Sequence, residues 1–173
     1  NGIAFLDSVL ASLEGQTLNN FEVILVDNGS TDGSCSFVTA NYPWVHLIEL
    51  SENFGFCGAV NAGIRAAKAP YVLLLNNDVR VDEYFVAEMV RAIGQSERIF
   101  SVSSRMIQMY HPDRLDDAGD MYSLLGWAYQ RGVGRDLTHY RRSSRVFSAC
   151  AGAAIYRREV FEEIGYFDEM HFA

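Results

Sequence analysis

Hydrophobic residues follow two spacings along the first hundred positions, and these spacings alternate. From Phe5 to Leu13 they recur three and four positions apart, which predicts an amphipathic helix. The run over 21–27 is nearly continuous and rich in β-branched residues, as in a strand buried on both faces. Continued alternation predicts helices over 5–13, 34–40, 59–67, 85–93 and 158–164, and strands over 21–27, 45–50, 71–75, 99–109 and 146–156.

This order of elements favours an α/β fold with an open, mainly parallel sheet and helices on both faces. The stretch 111–145 breaks the order, because it is polar, contains four glycines and has weak periodicity. We expect it to form a long flap, and long loops in compact domains are usually functional.

Composition narrows the classes of protein that fit. With 173 residues, 49% of them hydrophobic, the chain can bury the core of one domain. Its formal net charge of −8 repels a polyphosphate, so we expect no nucleic-acid partner and no basic stripe for anionic lipid. Cys35, Cys57 and Cys150 are far apart, which indicates neither a disulfide framework nor a zinc site and suits the reducing cytoplasm. No apolar run approaches the roughly 20 residues that cross a bilayer.

Polar residues collect where two predicted strands end. Asp27-Asn28 closes the strand over 21–27, and Asn76-Asn77-Asp78 follows the strand over 71–75. In a parallel sheet these ends share an edge, and the glycine-rich loop 53–61 is expected beside them. A carboxylate such as Asp27 can accept hydrogen bonds from a base or a ribose, and Asp78 can bind a Mg²⁺ or Mn²⁺ ion that bridges two phosphates. The pattern therefore predicts a site for a nucleotide diphosphate.

Four ordered motifs carry a family resemblance. They are VDNGSTDG at 26–33, NFGFCGAVNAG at 53–63, LLLNNDV at 73–79, and AGAAIYRR at 151–158 with GYFDE at 165–169. With these motifs the chain resembles the family 2 glycosyltransferases, most closely their rhamnosyltransferase-like branch. The resemblance implies a GT-A nucleotide-diphospho-sugar transferase fold and a divalent metal, Mg²⁺ or Mn²⁺. It also implies inverting transfer of a sugar to a hydroxyl of a cell-surface polysaccharide or glycolipid.

The resemblance further implies roles for single residues. Asp78 is expected to coordinate the metal. The residues implied to contact the nucleotide are Asp27, Asn28, Asn53, Gly55, Asn61 and Asn76. The residues implied to line the donor sugar and acceptor are Gly152, Ala153 and His171. Asp168 and Glu169 are the candidate catalytic residues, because they open the segment that leads to the family's catalytic base.

The sequence departs from the family pattern at several places. Asn76 replaces the first aspartate of the D-x-D metal motif, which leaves Asp78 as the one anionic ligand there, and Val60 stands where many members have Arg or Lys.

The family's first strand is expected before Asn1 and its catalytic base after Ala173. We therefore expect one fragmentary domain over 1–173 with a gap in its sheet, a nucleotide-sugar half over 1–110 and an acceptor side over 111–173. Such a protein would work in the cytoplasm, at the inner face of the membrane.

Other interpretations remain open on the sequence alone. A nucleotide-sugar-binding module without turnover would carry the same motifs, and a sugar nucleotidyltransferase would share the sheet but needs a glycine- and arginine-rich phosphate loop. A dinucleotide oxidoreductase lacks its G-x-G-x-x-G fingerprint here. Within the flap, the acidic run 113–120 is interpreted as a solvated loop, Tyr122, Trp127 and Tyr129 as core or sugar-stacking residues, and 141–145 as the one basic cluster.

Overall fold

The computed structural model of the chain describes residues 1–170. Its helices are α1 (Ile3–Glu14), α2 (Ser34–Asn41), α3 (Gly55–Ala66), α4 (Phe85–Ile93) and α5 (Arg158–Ile164). Its strands are β1 (Ile24–Asp27), β2 (His46–Glu49), β3 (Tyr71–Leu75), β4 (Ser101–Ser103), β5 (Met106–Ile107), β6 (Leu115–Asp117), β7 (Asp120–Tyr122), β8 (Ala128–Gln130) and β9 (Ala153–Arg157). None of these helices is long and apolar enough to cross a bilayer.

The described residues form two compact units. The first comprises Asn1–Val72, Asn77–Glu88 and the chain from Arg157 onward, and the second comprises Leu73–Asn76 and Met89–Tyr156. The division of the chain into a donor half and an acceptor half, expected from the sequence, stays a prediction.

The first unit is built on α1 and a parallel pair of strands. Apolar side chains three and four positions apart cover one face of α1 and are buried, namely Leu6, Val9, Leu10 and Leu13. Burial of each such side chain contributes about 1.5–3 kcal/mol. Strands β1 and β2 pair in parallel from Ile24 opposite His46. Helix α3 lies against β1 at Gly63, where an added Cβ would be 3.2 Å from Cγ2 of Val26.

The second unit contains a three-stranded sheet of order β3-β9-β4 and two hairpins. Residues 153–156 of the central strand β9 are all buried, and β9 pairs antiparallel with β4. The stretch predicted as an irregular flap, 111–145, contains three strands: β6 pairs antiparallel with β5, which precedes the stretch, and β7 pairs antiparallel with β8. Local hairpins therefore give the flap a defined structure that its weak periodicity does not reveal.

The predicted helices are confirmed, with one shift in position. Helix α3 begins at Gly55, four residues before its predicted start, so all of the expected loop 53–61 after Phe54 is helical. Gly55 itself has φ +72°, a left-handed conformation that glycine adopts readily, so it starts the helix from the loop. The strand predicted over 99–109 is divided into β4 and β5, and only the end of the 146–156 prediction is strand, in β9. Strand pairing is also less parallel than predicted, because β1 and β2 pair in parallel whereas β4-β9, β5-β6 and β7-β8 pair antiparallel. Among the described residues, β1 and β2 form a two-stranded sheet, and β3, β9 and β4 form a three-stranded one. The expected gap in the sheet stays a prediction.

Candidate functional site

Asp27 ends β1 with a carboxylate that is only 6% exposed. Its Oδ1 accepts the backbone N–H of Ser30 at 2.8 Å, which closes the turn after the strand. Burial by itself raises the pKa of Asp27, but hydrogen bonds from Ser30 and from Cys35 outweigh burial and hold this pKa below its usual value. The lowered pKa favours the ionised form of Asp27, in which both carboxylate oxygens accept hydrogen bonds.

Asn28 joins the loop after β1 to the start of α3. Its Nδ2 donates to Oδ1 of Asn53 at 2.8 Å and to the carbonyl oxygen of Gly55 at 3.0 Å. Its Oδ1 accepts the backbone N–H of Phe54 at 2.9 Å. Asn53 in turn accepts the N–H of Gly55 through Oδ1. Three of the residues expected at the nucleotide site thus form one hydrogen-bonded clasp, which we call the Asn28 clasp.

Gly29 allows the two segments of the Asn28 clasp to touch. It has φ +75°, a conformation that L-residues rarely adopt. A Cβ at this position would lie 2.9 Å from the carbonyl carbon of Glu52 and 3.1 Å from the backbone N of Asn53. The backbones are therefore too close for any side chain, and glycine is required here for conformation and for space.

The turn that carries Asp78 lies in the first unit beside Gly2. A Cβ added to Gly2 would be 2.2 Å from Nδ2 of Asn77. The N–H of Gly2 donates to Oδ2 of Asp32 at 2.8 Å, so Gly2 contacts both the turn and the loop after β1. Hydrogen bonds from Ser34 and from the backbone of Ile3 lower the pKa of Asp32 well below its usual range. Asp78 itself is exposed.

Asn76 and Gly152 meet within the second unit. The backbone N–H of Asn76 donates to the carbonyl oxygen of Gly152 at 2.9 Å. Gly152 is buried, as is Ala153 at the start of β9. A Cβ at Gly152 would lie 3.5 Å from Nδ2 of Asn76, which is ordinary van der Waals contact. The two segments expected at the donor pyrophosphate and the donor sugar are therefore adjacent in this unit.

Asn61 has partners other than those expected. It is fully buried in α3, its Nδ2 donates to the carbonyl oxygen of Phe167 and to Oε1 of Glu169, both at 2.8 Å, and its Oδ1 accepts the N–H of Phe167. Its side-chain amide braces the segment after α5.

The two candidate catalytic residues, Asp168 and Glu169, both accept hydrogen bonds from neighbouring groups, and their catalytic role stays a prediction. The pKa of Glu169 is lowered by hydrogen bonds from Asn61 and then Arg65, whose Nη2 is 3.2 Å from Oε1. Such a carboxylate holds a proton poorly. Asp168 is exposed, and its Oδ1 accepts the N–H of Met170. His171 lies outside the described residues.

The residues present fit a metal that is bound together with a diphosphate. Over residues 1–170, no three His, Cys, Asp or Glu side chains come together as a metal-binding group. Mg²⁺ and Mn²⁺ keep several waters and need only one or two protein carboxylates when phosphates supply other ligands. Asp78 can supply one such carboxylate, whereas a metal held by protein ligands alone does not fit this turn.

Asp117 is a polar residue that the sequence analysis missed. The interpretation of the acidic run as a solvated loop is wrong for Asp117, which has no exposed surface in β6. Its Oδ2 accepts the N–H of Gly119 at 3.1 Å, while its buried Oδ1 has no hydrogen-bond partner among the described residues. Burial raises the pKa of Asp117. The signal in the sequence is the alternation that places Leu115 and Asp117 on one face of a strand.

Comparisons with known proteins are consistent with this geometry. The family model described as "Glycosyl transferase family 2" matches residues 1–165. An undecaprenyl-phosphate 4-deoxy-4-formamido-L-arabinose transferase of Yersinia enterocolitica is 29% identical over 141 residues, which are 72% of this chain and 43% of that protein. The uncharacterized glycosyltransferase YwdF of Bacillus subtilis is 28% identical over 174 residues, 97% of this chain and 59% of its own length.

A solved structure shares the fold. The mannosyltransferase PcManGT from Pyrobaculum calidifontis, in complex with GDP-Man and Mn²⁺, superposes with a TM-score of 0.70 at 20% identity, over 98% of this chain and 45% of that one. This likeness shows the GT-A type of fold. The chain spans about half the length of the relatives it matches.

Proposed function

We propose that this chain, which belongs to glycosyl transferase family 2, transfers a sugar from a nucleotide-diphosphate donor to a hydroxyl of a saccharide or glycolipid acceptor, with inversion at the anomeric carbon. The fold is shared with a mannosyltransferase that was crystallised with GDP-Man and Mn²⁺. One curated relative is named for a transfer that involves undecaprenyl phosphate. A rhamnosyl nucleotide is the donor that we would test first, since the motifs resemble the rhamnosyltransferase-like branch.

The observation that carries the proposal is the Asn28 clasp beside an ionised Asp27. The clasp fixes the loop after β1 against the start of α3 through side-chain hydrogen bonds of 2.8–3.0 Å. A site that is already ordered loses little conformational entropy when it binds. Asp27 would accept hydrogen bonds from the nucleoside, while the exposed turn at Asp78 would face its phosphates.

A divalent metal would complete the site. Asp78 would hold Mg²⁺ or Mn²⁺, which when bound neutralises charge on the diphosphate leaving group. The chain needs such a counter-charge, because its net charge is −8 and Val60 supplies no cation at the start of α3. Gly152 would lie beside the donor sugar, as its motif implies.

The brace from Asn61 to Glu169 would position the segment after α5. Glu169 is already paired with Asn61 and Arg65. We therefore assign Glu169 a positioning role and expect the proton of the acceptor hydroxyl to be taken by another group. This arrangement also favours the second candidate, a binding module without turnover, for this stretch of chain.

Donor turnover tests the proposal. We expect release of nucleotide diphosphate from one of a panel of nucleotide sugars, with Mn²⁺ present, to fall at least tenfold in Asp78→Ala. Glu97→Ala is the matched control, because it removes an exposed carboxylate far along the sequence from the motifs. Donor binding without turnover would support the binding module, and turnover that is equal in Asp78→Ala and the control would refute the assigned role of Asp78.

A further inference from the structure

The β7-β8 hairpin presents an apolar tip to solvent. Leu124 is fully exposed at the turn, Leu125 is 85% exposed and Trp127 is 71% exposed. The turn is well ordered, because the N–H of Ser123 donates to the carbonyl oxygen of Trp127 at 2.8 Å and Gly126 donates back to Ser123 at 3.0 Å. Exposed apolar residues are common singly, but a group on one rigid turn indicates an interaction surface.

Aromatic residues extend the apolar surface along the hairpin. Tyr122 stacks on Phe147 with ring centroids 5.1 Å apart and an angle of 22° between the planes. Both rings remain more than half exposed, as does Tyr129 on the opposite strand. Of the two interpretations of Tyr122, Trp127 and Tyr129, packing in the core is therefore wrong, and stacking on sugar rings stays a prediction. The leucines are at the tip of the hairpin and the aromatic rings are further from the tip. This order suits a lipid interface, where aliphatic side chains insert into the acyl region and amphipathic rings lie at the level of the headgroups.

The same region carries a positive charge that the whole-chain composition conceals. Residues 120–148, which begin with β7, contain five arginines and two acidic residues, so their formal charge is +3 in a chain of −8. Of the two acidic residues, Asp120 begins β7, and Asp136 accepts the backbone N–H of Thr138. The arginines of this stretch other than Arg131 are exposed.

Two contacts hold the basic segment beside the hairpin. Arg131, next to the end of β8, donates to Oγ of Ser144 at 2.7 Å and lies 4.8 Å from the ring centroid of Tyr140. Phe147, which follows the basic segment, stacks on Tyr122 of β7 and so holds the end of that segment to the hairpin. The exposed side chains of Arg141, Arg142 and Arg145 therefore lie on a segment fixed along the hairpin.

We propose that the tip at Leu124, Leu125 and Trp127 inserts into the interface of an anionic bilayer, while Arg141, Arg142 and Arg145 bind lipid phosphates. Charge complementarity favours an anionic bilayer over a second copy of this chain. A second copy carries a net charge of −8, but a symmetric contact would place its positive hairpin against the same positive hairpin. The inference deepens the proposed function, since a glycolipid acceptor would lie in that bilayer. Vesicle binding requires no nucleotide sugar, so the two proposals can fail separately.

Vesicle binding by the 173-residue chain tests the inference. We would compare co-sedimentation with vesicles of phosphatidylcholine alone and with 30% phosphatidylglycerol, at 0.1 M salt. The chain should bind the anionic vesicles preferentially, and the triple change of Arg141, Arg142 and Arg145 to Gln should weaken that binding by about two orders of magnitude, from about fivefold per arginine near an anionic surface. The double change Leu124→Ser and Leu125→Ser should weaken it at least tenfold. Ile164→Ser, which removes an exposed apolar residue of α5, should leave it unchanged.

Trp127 supplies a second readout. In the Trp44→Phe variant Trp127 is the one remaining tryptophan, and its emission should shift to shorter wavelength when anionic vesicles are added. Equal binding to both kinds of vesicle, or an unshifted emission, would overturn the proposal. Sedimentation velocity showing a dimer that the leucine changes dissolve, without vesicle binding, would also overturn it and assign the tip to a second copy. Thermal melting of each variant would show that the fold is retained.

Discussion

The contact between the loop after β1 and the segment before α3 can be tested with two glycines of one loop. Gly29 and Gly33 both have left-handed backbones, with φ of +75° and +86°. Alanine at either position should cost about 1–2 kcal/mol for the conformation alone. At Gly33 nothing but Cδ1 of Ile3, 3.9 Å away, meets the new methyl group. At Gly29 the methyl group meets backbone atoms of Glu52 and Asn53 at 2.9–3.1 Å, which cannot rotate away.

The two variants should therefore differ in stability. Such an overlap costs about 1–3 kcal/mol more, so Gly29→Ala should lose about 2–5 kcal/mol and Gly33→Ala about 1–2 kcal/mol. Urea unfolding followed by circular dichroism measures both losses. Gly29→Ala should also separate the partners of the Asn28 clasp and weaken donor binding, which Gly33→Ala should spare. Equal losses in the two variants would show that the loops are not in close contact, and the proposed donor site would lose its basis.

Three further substitutions test the hydrogen bonds of Asn61, the buried carboxyl group of Asp117 and the proposed role of Gly152 at the donor sugar. Asn61→Ala should lower the free energy of unfolding by about 2–4 kcal/mol, since it removes three hydrogen bonds from a fully buried side chain, whereas Asn41→Ala, with one exposed bond, should lose under about 1 kcal/mol. A loss in Asn61→Ala no larger than in Asn41→Ala would contradict the brace. Because burial raises the pKa of Asp117, the folded state binds this proton more tightly, and its contribution to stability is lost as pH rises above the unfolded value. Asp117→Asn, measured by urea unfolding from pH 4 to 8, should gain stability relative to the parent as pH rises, and a constant difference would refute an ionising Asp117. Gly152→Ala should change the free energy of unfolding by less than about 1 kcal/mol, because the added methyl group lies 3.5 Å or more from its neighbours. The same substitution should raise KM for the donor. An unchanged KM would contradict the proposed role of Gly152 at the donor sugar.

The sequence predicts the periodic parts of this molecule well. The apolar positions of α1 and the polar residues after β1 and β3 follow local rules, and the structure brings Asn28, Asn53 and Gly55 together as the strand order predicts. Its prediction fails where long-range packing decides. Helix α3 starts at Gly55, which has a left-handed backbone with φ +72°, and it approaches β1 at Gly63, where an added Cβ would be 3.2 Å from Cγ2 of Val26.

The sequence also did not predict which polar side chains are buried. Asn61 looks like a ligand contact in its motif, yet its partners lie more than 100 positions further along the chain. Asp117 looks like a solvated loop residue until the flap is seen to form paired strands. The positive charge of 120–148 was obscured by the acidic remainder of the chain, because the net charge averages over both.

Ligand-induced stabilisation tests the central claim most directly. Melting temperatures would be measured for the chain with a panel of nucleotide-diphosphate sugars, including GDP-mannose and a rhamnosyl nucleotide, each with and without Mn²⁺. Our account predicts that at least one donor stabilises the fold, by about 2.7 kcal/mol at a hundred times its Kd, and that Mn²⁺ strengthens this effect through Asp78. A panel in which no nucleotide sugar raises the melting temperature, under any metal condition, would contradict a donor site at the Asn28 clasp.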